Sequence, residues 1–290
     1  MSCARRPWHL PGRNRGQGLN DNIIYLGLLA DEEIELDSAA LALSALDHEG
    51  LDVEPYLDRL RIINAAVDAA RGSVDEEALR SGEAQGALLA QVISGEFGFM
   101  GDSESYDAPL NADMIRVLDR RRGLPVSLSI LYVAVARRMG WTAHALNTPS
   151  HVLVSIGPED SPALIDPFQG GALVQPEQLM TLLERALGPG AWPQEAHVAP
   201  MSNRMTLVRL LLNQASRAEQ AGDPARACIL YERMTVVAPE HGAGWWELAR
   251  LQLAEGEVDA ARASLSAMLE ITRDPERRAQ IGAALTRLAG

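Results

Sequence analysis

The stretch from Leu118 to Gly171 constrains this chain more than any other. It reads as one enclosed helix followed by three short strands, with a histidine and an aspartate at strand ends. After the corner Arg120-Arg121-Arg122-Gly123, Pro125 suits a first helical position, where its missing N–H would lack a partner in any residue. From Val126 to Met139 apolar residues fall on nearly every side, which describes a helix surrounded by the fold, and Gly140 ends it. Thr142 to Asn147, Val152 to Ile156 and Ala163 to Ile165 follow as strands. Turn residues separate them at Pro149-Ser150 and at Gly157-Pro158-Glu159-Asp160. His151 opens the second strand and Asp166 closes the third.

A central helix whose N-terminus faces a His and an Asp on neighbouring strands is the layout of papain-like and transglutaminase-like enzymes. There a Cys at the helix N-terminus is held as thiolate by the helix dipole and an adjacent imidazolium, and the Asp orients the His. The resemblance becomes specific through Gly98-Phe99-Met100-Gly101-Asp102, Tyr106-Asp107, Asn111, the run Val117 to Leu128, Asn147-Thr148-Pro149-Ser150-His151, and Ile165-Asp166-Pro167-Phe168-Gln169-Gly170-Gly171. In this order and spacing the chain resembles the bacterial SirB-type family, a transglutaminase-like domain followed by tetratricopeptide-like helices, from about Ile34 to the C-terminus. The resemblance implies an α+β fold with a papain/transglutaminase-like core, made of a central helix and a short antiparallel sheet. A helical N-terminal part precedes that core and all-α repeats follow it.

One departure lies inside the best-matching segment. Relatives that keep a nucleophile resemble G-x-C-x-S at this corner, and here the frame is Gly123-Leu124-Pro125-Val126-Ser127. A pyrrolidine ring can neither attack a carbonyl nor carry a thiolate. Cys3 and Cys228 offer no substitute, the first lying in the leader and the second in a helical repeat. Ser127 is two residues along the helix from Pro125, a turn of about 200°; Ser129 returns to its side but about one turn, ~6 Å, deeper. The expectation is an inactive remnant of His151 and Asp166. The alternative is a hydrolase or acyl transferase using Ser127 or Ser129 with those two residues. A metal on His144, His151 and Asp166 would have mixed ligands without a recognised spacing, so neither metal nor cofactor is expected.

Charge narrows the partners. The 290 residues carry a net charge of −13, which argues against nucleic acid, since counterion release needs a basic face. All 26 basic residues are arginine, so Schiff-base or phosphate-loop lysine chemistry is excluded. Two distant cysteines give no disulfide framework and fit a reducing cytoplasm. No window of ~18 apolar residues suggests a membrane span.

Residues 1–19 read as a disordered leader and 20–190 as the transglutaminase-like domain with a helical cap over Asp37 to Leu46, Val53 to Arg71 and Asp75 to Ile93. Residues 191–203, with Pro193 and Pro200, read as a linker, and 204–290 as helical repeats. Gly222 and Gly256, Ala227 and Ala261, and Tyr231 and Leu265 are each 34 apart, the tetratricopeptide period. About two repeats are too few to stand alone and must lean on the first domain. Adjacent Trp245 and Trp246 cannot share one face, so one is expected in the core and one against the neighbouring domain, with partner binding as the alternative. The loop Gly98 to Asn111 is expected over the site, where Tyr106 and Asn111 line it or tie the loop down. Arg121 and Arg122 are candidates for holding an anion or carboxylate terminus, and one guanidinium of the cluster is expected on a loop carboxylate. The function expected is a non-catalytic cytoplasmic interaction or regulatory module for a protein or peptide partner, with oligomeric state left open.

Overall fold

A computed structural model describes residues 17–188, 190 and 192–288; most of the expected leader, with Cys3, lies outside them. The chain opens with α1 (Gln17–Leu28), α2 (Leu36–Ala45) and α3 (Glu54–Arg71). All ten residues of α2 are buried, because it is wedged between α1, α3 and the elements that follow. The helix expected over 75–93 is divided. A 3-10 turn at Ala78–Arg80 stops at Ser81, whose hydroxyl accepts from Ala84 N–H and starts α4 (Gly82–Leu89) afresh. Serine at an N-cap competes with helix continuation in this way. A π-helical segment, Ala90–Glu96, carries α4 onward.

Next, β1 (Met100–Gly101) pairs in parallel with β2 (Arg122–Gly123), and between them lies α5 (Met114–Arg120). Asp113 caps α5 through Ile115 and Arg116 N–H, and Arg121 ends it in the left-handed region at φ 57°. The central helix is α6 (Pro125–Arg138), with Pro125 at its first position and every residue from Pro125 to Ala136 buried. Enclosure on all sides follows from its composition.

Four antiparallel strands pack on it in the order β3 (Ala143–Ala145), β4 (Val154–Ile156), β5 (Ala163–Asp166) and β6 (Ala172–Leu173). The fourth strand was not expected. Ala143, Ala145, Val154, Ile156, Ala163 and Ile165 face inward, while His144, Ser155 and Leu164 face out, the two-residue alternation of a half-buried sheet. Helix α4 approaches this sheet closely at glycine: a Cβ on Gly82 would stand 2.3 Å from Ile156 O and 2.7 Å from Ala163 N.

The remainder is helical: α7 (Pro176–Leu187), α8 (Asn203–Gln220), α9 (Pro224–Val237), α10 (Gly242–Ala254), α11 (Val258–Ile271) and α12 (Pro275–Arg287). Leu207, Leu210 and Leu211 of α8 and Leu230 and Met234 of α9 join the same core as α2 and α6, so α8 and α9 lean on the elements before them. The Asp31 carboxylate accepts from Asn203 and Arg204 N–H at the start of α8, where the helix dipole favours an anion. Arg226 and Arg233 of α9 both bind Asp47, beyond α2. Arg138 at the end of α6 forks onto fully buried Asp37 at 2.5 and 2.7 Å.

Both tryptophans depart from expectation. Trp245 and Trp246 are half-buried on a second cluster of Ala249, Ala261, Leu265, Met268 and Ile281, within the repeats rather than against the first domain. Trp245 Nε1 donates to Pro239 O, and the Arg277 guanidinium lies 4.8 Å from the Trp246 ring centre, so α12 covers what would otherwise be exposed. Among the described residues no helix is long and apolar enough to cross a membrane.

Candidate functional site

The corner before α6 is tied to the loop ahead of it. Leu124 N–H donates to Asn111 O, and Ser127 Oγ donates to the same carbonyl at 2.8 Å. Ser129 Oγ donates to Val152 O at 3.3 Å. Both serines are wholly buried. Their hydroxyl protons are thus spent on main-chain carbonyls, and neither hydroxyl bonds an imidazole.

His151 is aimed by a tight turn in which Ser150 takes the left-handed conformation (φ 58°), and its own N–H donates to Thr148 O. His151 Nε2 lies 3.0 Å from Asp166 Oδ1. The imidazole nitrogen meets that oxygen out of line, however, and makes no well-directed hydrogen bond. Asp166 Oδ1 is engaged elsewhere: it accepts from Phe168 N–H at 2.9 Å and caps the 3-10 turn Pro167–Gln169. The pair therefore has the contact a triad would have and lacks its alignment. Beside it, Tyr132 Oη is buried without a partner among the described residues, and burial, helped by the nearby Asp166 charge, raises its pKa.

Phe168 is the hub that links this pair to the preceding loop. Its ring meets His151 edge-on at 6.0 Å and Tyr106 edge-on at 5.7 Å. Gly101 permits this, since a Cβ there would stand 2.4 Å from the Phe168 ring. Over Tyr106 sits the Arg217 guanidinium, 5.5 Å from the ring centre. From the same helix face, two turns earlier, Arg209 donates to Asn147 Oδ1, Thr148 O and His151 O. Helix α8 thus supports the His151 loop. Sequence reasoning missed Arg209 and Arg217; their eight-residue spacing places them on one face of α8, yet nothing local says what that face meets.

An open groove of about 580 Å³ runs beside His151. Pro149, Ser150 and His151 form one wall, and Gln178, Thr181, Leu182, Arg185 and Ala186 of α7 form the other.

The other candidate residues lie elsewhere. Asn111 has no exposed surface; its Nδ2 donates to Ser105 O and its Oδ1 accepts from Arg120, which also binds Asp102 at 2.6 Å. It is a loop anchor. The loop carboxylate expected for the arginine cluster is thus Asp102, whose pKa is lowered first by Arg120 and then by Ser105 N–H. Arg121 borders a separate hollow with Arg59, Phe97, Phe99 and Leu118, and Arg122 donates to Gly98 O. His144 projects toward Arg137 at 3.4 Å, and burial followed by that charge lowers its pKa.

Residues 56–212 match the profile of the transglutaminase-like superfamily, which is more than half of the chain. The chain belongs to that superfamily. Residues 218–288 match the tetratricopeptide repeat, so the transglutaminase-like match runs into α8 and the repeat match begins near its end. A UPF0162 protein of Pseudomonas aeruginosa is 30% identical over 264 residues, covering 91% of this chain and 94% of the relative. Another, from Xylella fastidiosa, is 29% identical over 252 residues, covering 85% and 87%. Among solved structures, menin, described with its binding site for the Mixed Lineage Leukemia protein, covers 94% of this chain and 75% of its own at 13% identity and a TM-score of 0.44, too distant to bear on function. In this transglutaminase-like chain the first helical position of α6 is Pro125.

Proposed function

We propose that this protein is a non-catalytic interaction or regulatory module of the cytoplasm, which takes a peptide segment of a partner into the groove between the His151 turn and α7. The observation that carries this reading is the state of the α6 corner. Pro125 begins the helix, and the two nearby hydroxyls, Ser127 and Ser129, donate to Asn111 O and Val152 O inside the core. A general base needs the nucleophile's proton within hydrogen-bond reach, and here those protons are directed away. A groove walled by Leu182, Ala186 and Pro149, with polar groups between them, suits an extended peptide. Tetratricopeptide helices, the second matched family, generally serve protein contacts, and they follow directly on α8, whose Arg209 holds the groove's wall.

Two experiments on the full chain test the reading. A fluorophosphonate probe is expected to leave the protein unlabelled. A panel of ester and amide substrates is expected to give no turnover above buffer. Turnover that His151→Ala eliminates would refute the proposal and favour a serine mechanism.

A further inference from the structure

We propose that the groove beside His151 selects acidic segments, in which carboxylates alternate with or flank apolar side chains; this rests on the peptide-binding reading above. The argument begins with charge. The chain as a whole carries −13, so an average stretch of its surface repels anions. The eight residues lining the groove include no Asp or Glu, and they contribute Arg185 and His151.

Arg185 is exposed on α7, and among the described residues no carboxylate bonds it. Behind His151 stands a second cation, Arg209. Its three hydrogen bonds all end on neutral oxygens, two of them the carbonyls of Thr148 and His151. Its charge therefore reaches the groove without a countercharge from its bonding partners.

The carboxylates nearby are either engaged or turned aside. Asp166 lies against the imidazole and accepts from Phe168 N–H; Asp107 is bound by Arg217. Glu177 and Glu184 share α7 with the groove residues but lie roughly 80–120° around it from Gln178 and Arg185. Gln178 adds a neutral donor. Its Oε1 accepts from Gln175 N–H at the helix start, which leaves its NH2 free to donate. Leu182, Ala186 and Pro149 supply the apolar floor between these polar groups. A carboxylate forked by Arg185, with a neighbouring apolar side chain against Leu182, satisfies both sets.

Fluorescence anisotropy with the full chain tests this. The probes are short fluorescein-labelled peptides in which leucine alternates with glutamate, glutamine or arginine. The glutamate peptide is expected to bind about ten-fold more tightly than the glutamine peptide at low salt, with the gap narrowing as salt is added. Arg185→Glu, a substitution at an exposed position, should remove that advantage, so that the glutamate peptide binds no more tightly than the glutamine peptide. Leu182→Ser should weaken both peptides.

Equal binding of the glutamate and glutamine peptides, or an unaltered preference in Arg185→Glu, would overturn the charge selection while leaving peptide binding in the groove intact. Tighter binding of the arginine peptide would overturn it as well. If none of the three peptides binds, the groove reading itself falls, and the selection with it.

Discussion

If His151 and Asp166 are a structural pair, a double-mutant cycle on folding should return a small coupling. The magnitude follows from the contacts. His151→Ala removes the edge contact with Phe168, on the order of 0.5–1.5 kcal/mol, together with a misdirected approach to Asp166 worth about 0.5 kcal/mol. The single substitution should therefore cost about 1–2 kcal/mol. Asp166→Asn keeps an oxygen able to accept from Phe168 N–H, so the 3-10 cap survives and the loss should stay near ~0.5–1 kcal/mol. Because the two side chains meet at 3.0 Å out of line and neither is wholly buried, the coupling should be about 0.5 kcal/mol, the range of partly exposed pairs. Urea unfolding of the four proteins, followed by far-ultraviolet circular dichroism, measures it, and His151→Ala should lower Tm by a few degrees, about 2–4 °C per kcal/mol for a chain of this size. A coupling of ~3 kcal/mol or more would refute the reasoning, since only a well-aligned, desolvated pair reaches it.

Two further outcomes are expected. Burial by itself would raise the Asp47 carboxyl, but the hydrogen bonds and charges of Arg226 and Arg233 outweigh it and its pKa is lowered; the stabilisation this gives is full above the ordinary carboxylate pKa of about 3.9 and is lost as pH falls through the lower folded value. Asp47→Asn should therefore flatten the acid side of a plot of urea midpoint against pH, and an unchanged slope would count against that contact. Gly82→Ala should cost about 1–3 kcal/mol, because its methyl would press on Ile156 O and Ala163 N, which are backbone and cannot swing aside; a change below ~0.5 kcal/mol would show that α4 stands further from the sheet.

Much of the fold was legible in the chain because local signals coincide there. The all-round apolar run after Pro125 marked a buried helix, and α6 follows it within a residue of the expected end. Alternation and turn residues located β3, β4 and β5, and the 34-residue recurrence is matched by α9 and α11, which start at Pro224 and Val258. The misses share a cause. Strand β6 is two residues long, too short for any alternation to register. The helix expected over 75–93 was broken by a cap at Ser81, a single hydroxyl within an otherwise helical composition. The Trp245-Trp246 pair was read as straddling two domains, because nothing in α10 says that Arg277 of α12 lies over one ring.

For the site the division is sharper. The sequence by itself determined that Pro125 opens the central helix, since its fixed φ and missing N–H suit a first helical position whatever packs around it. It also put Asp166 at the end of β5, whereas His151, read as opening the second strand, lies in the turn three residues before β4. Only the tertiary structure decided where the Ser127 and Ser129 hydroxyls point, because their acceptors lie 16 and 23 residues away and are chosen by packing. Tertiary packing likewise brought Arg209 to the His151 carbonyl across 58 residues and set α7 opposite the Ser150 turn. Periodicity and capping are written in short windows of sequence; the partner a side chain finds depends on how whole elements settle against one core, which no short window contains.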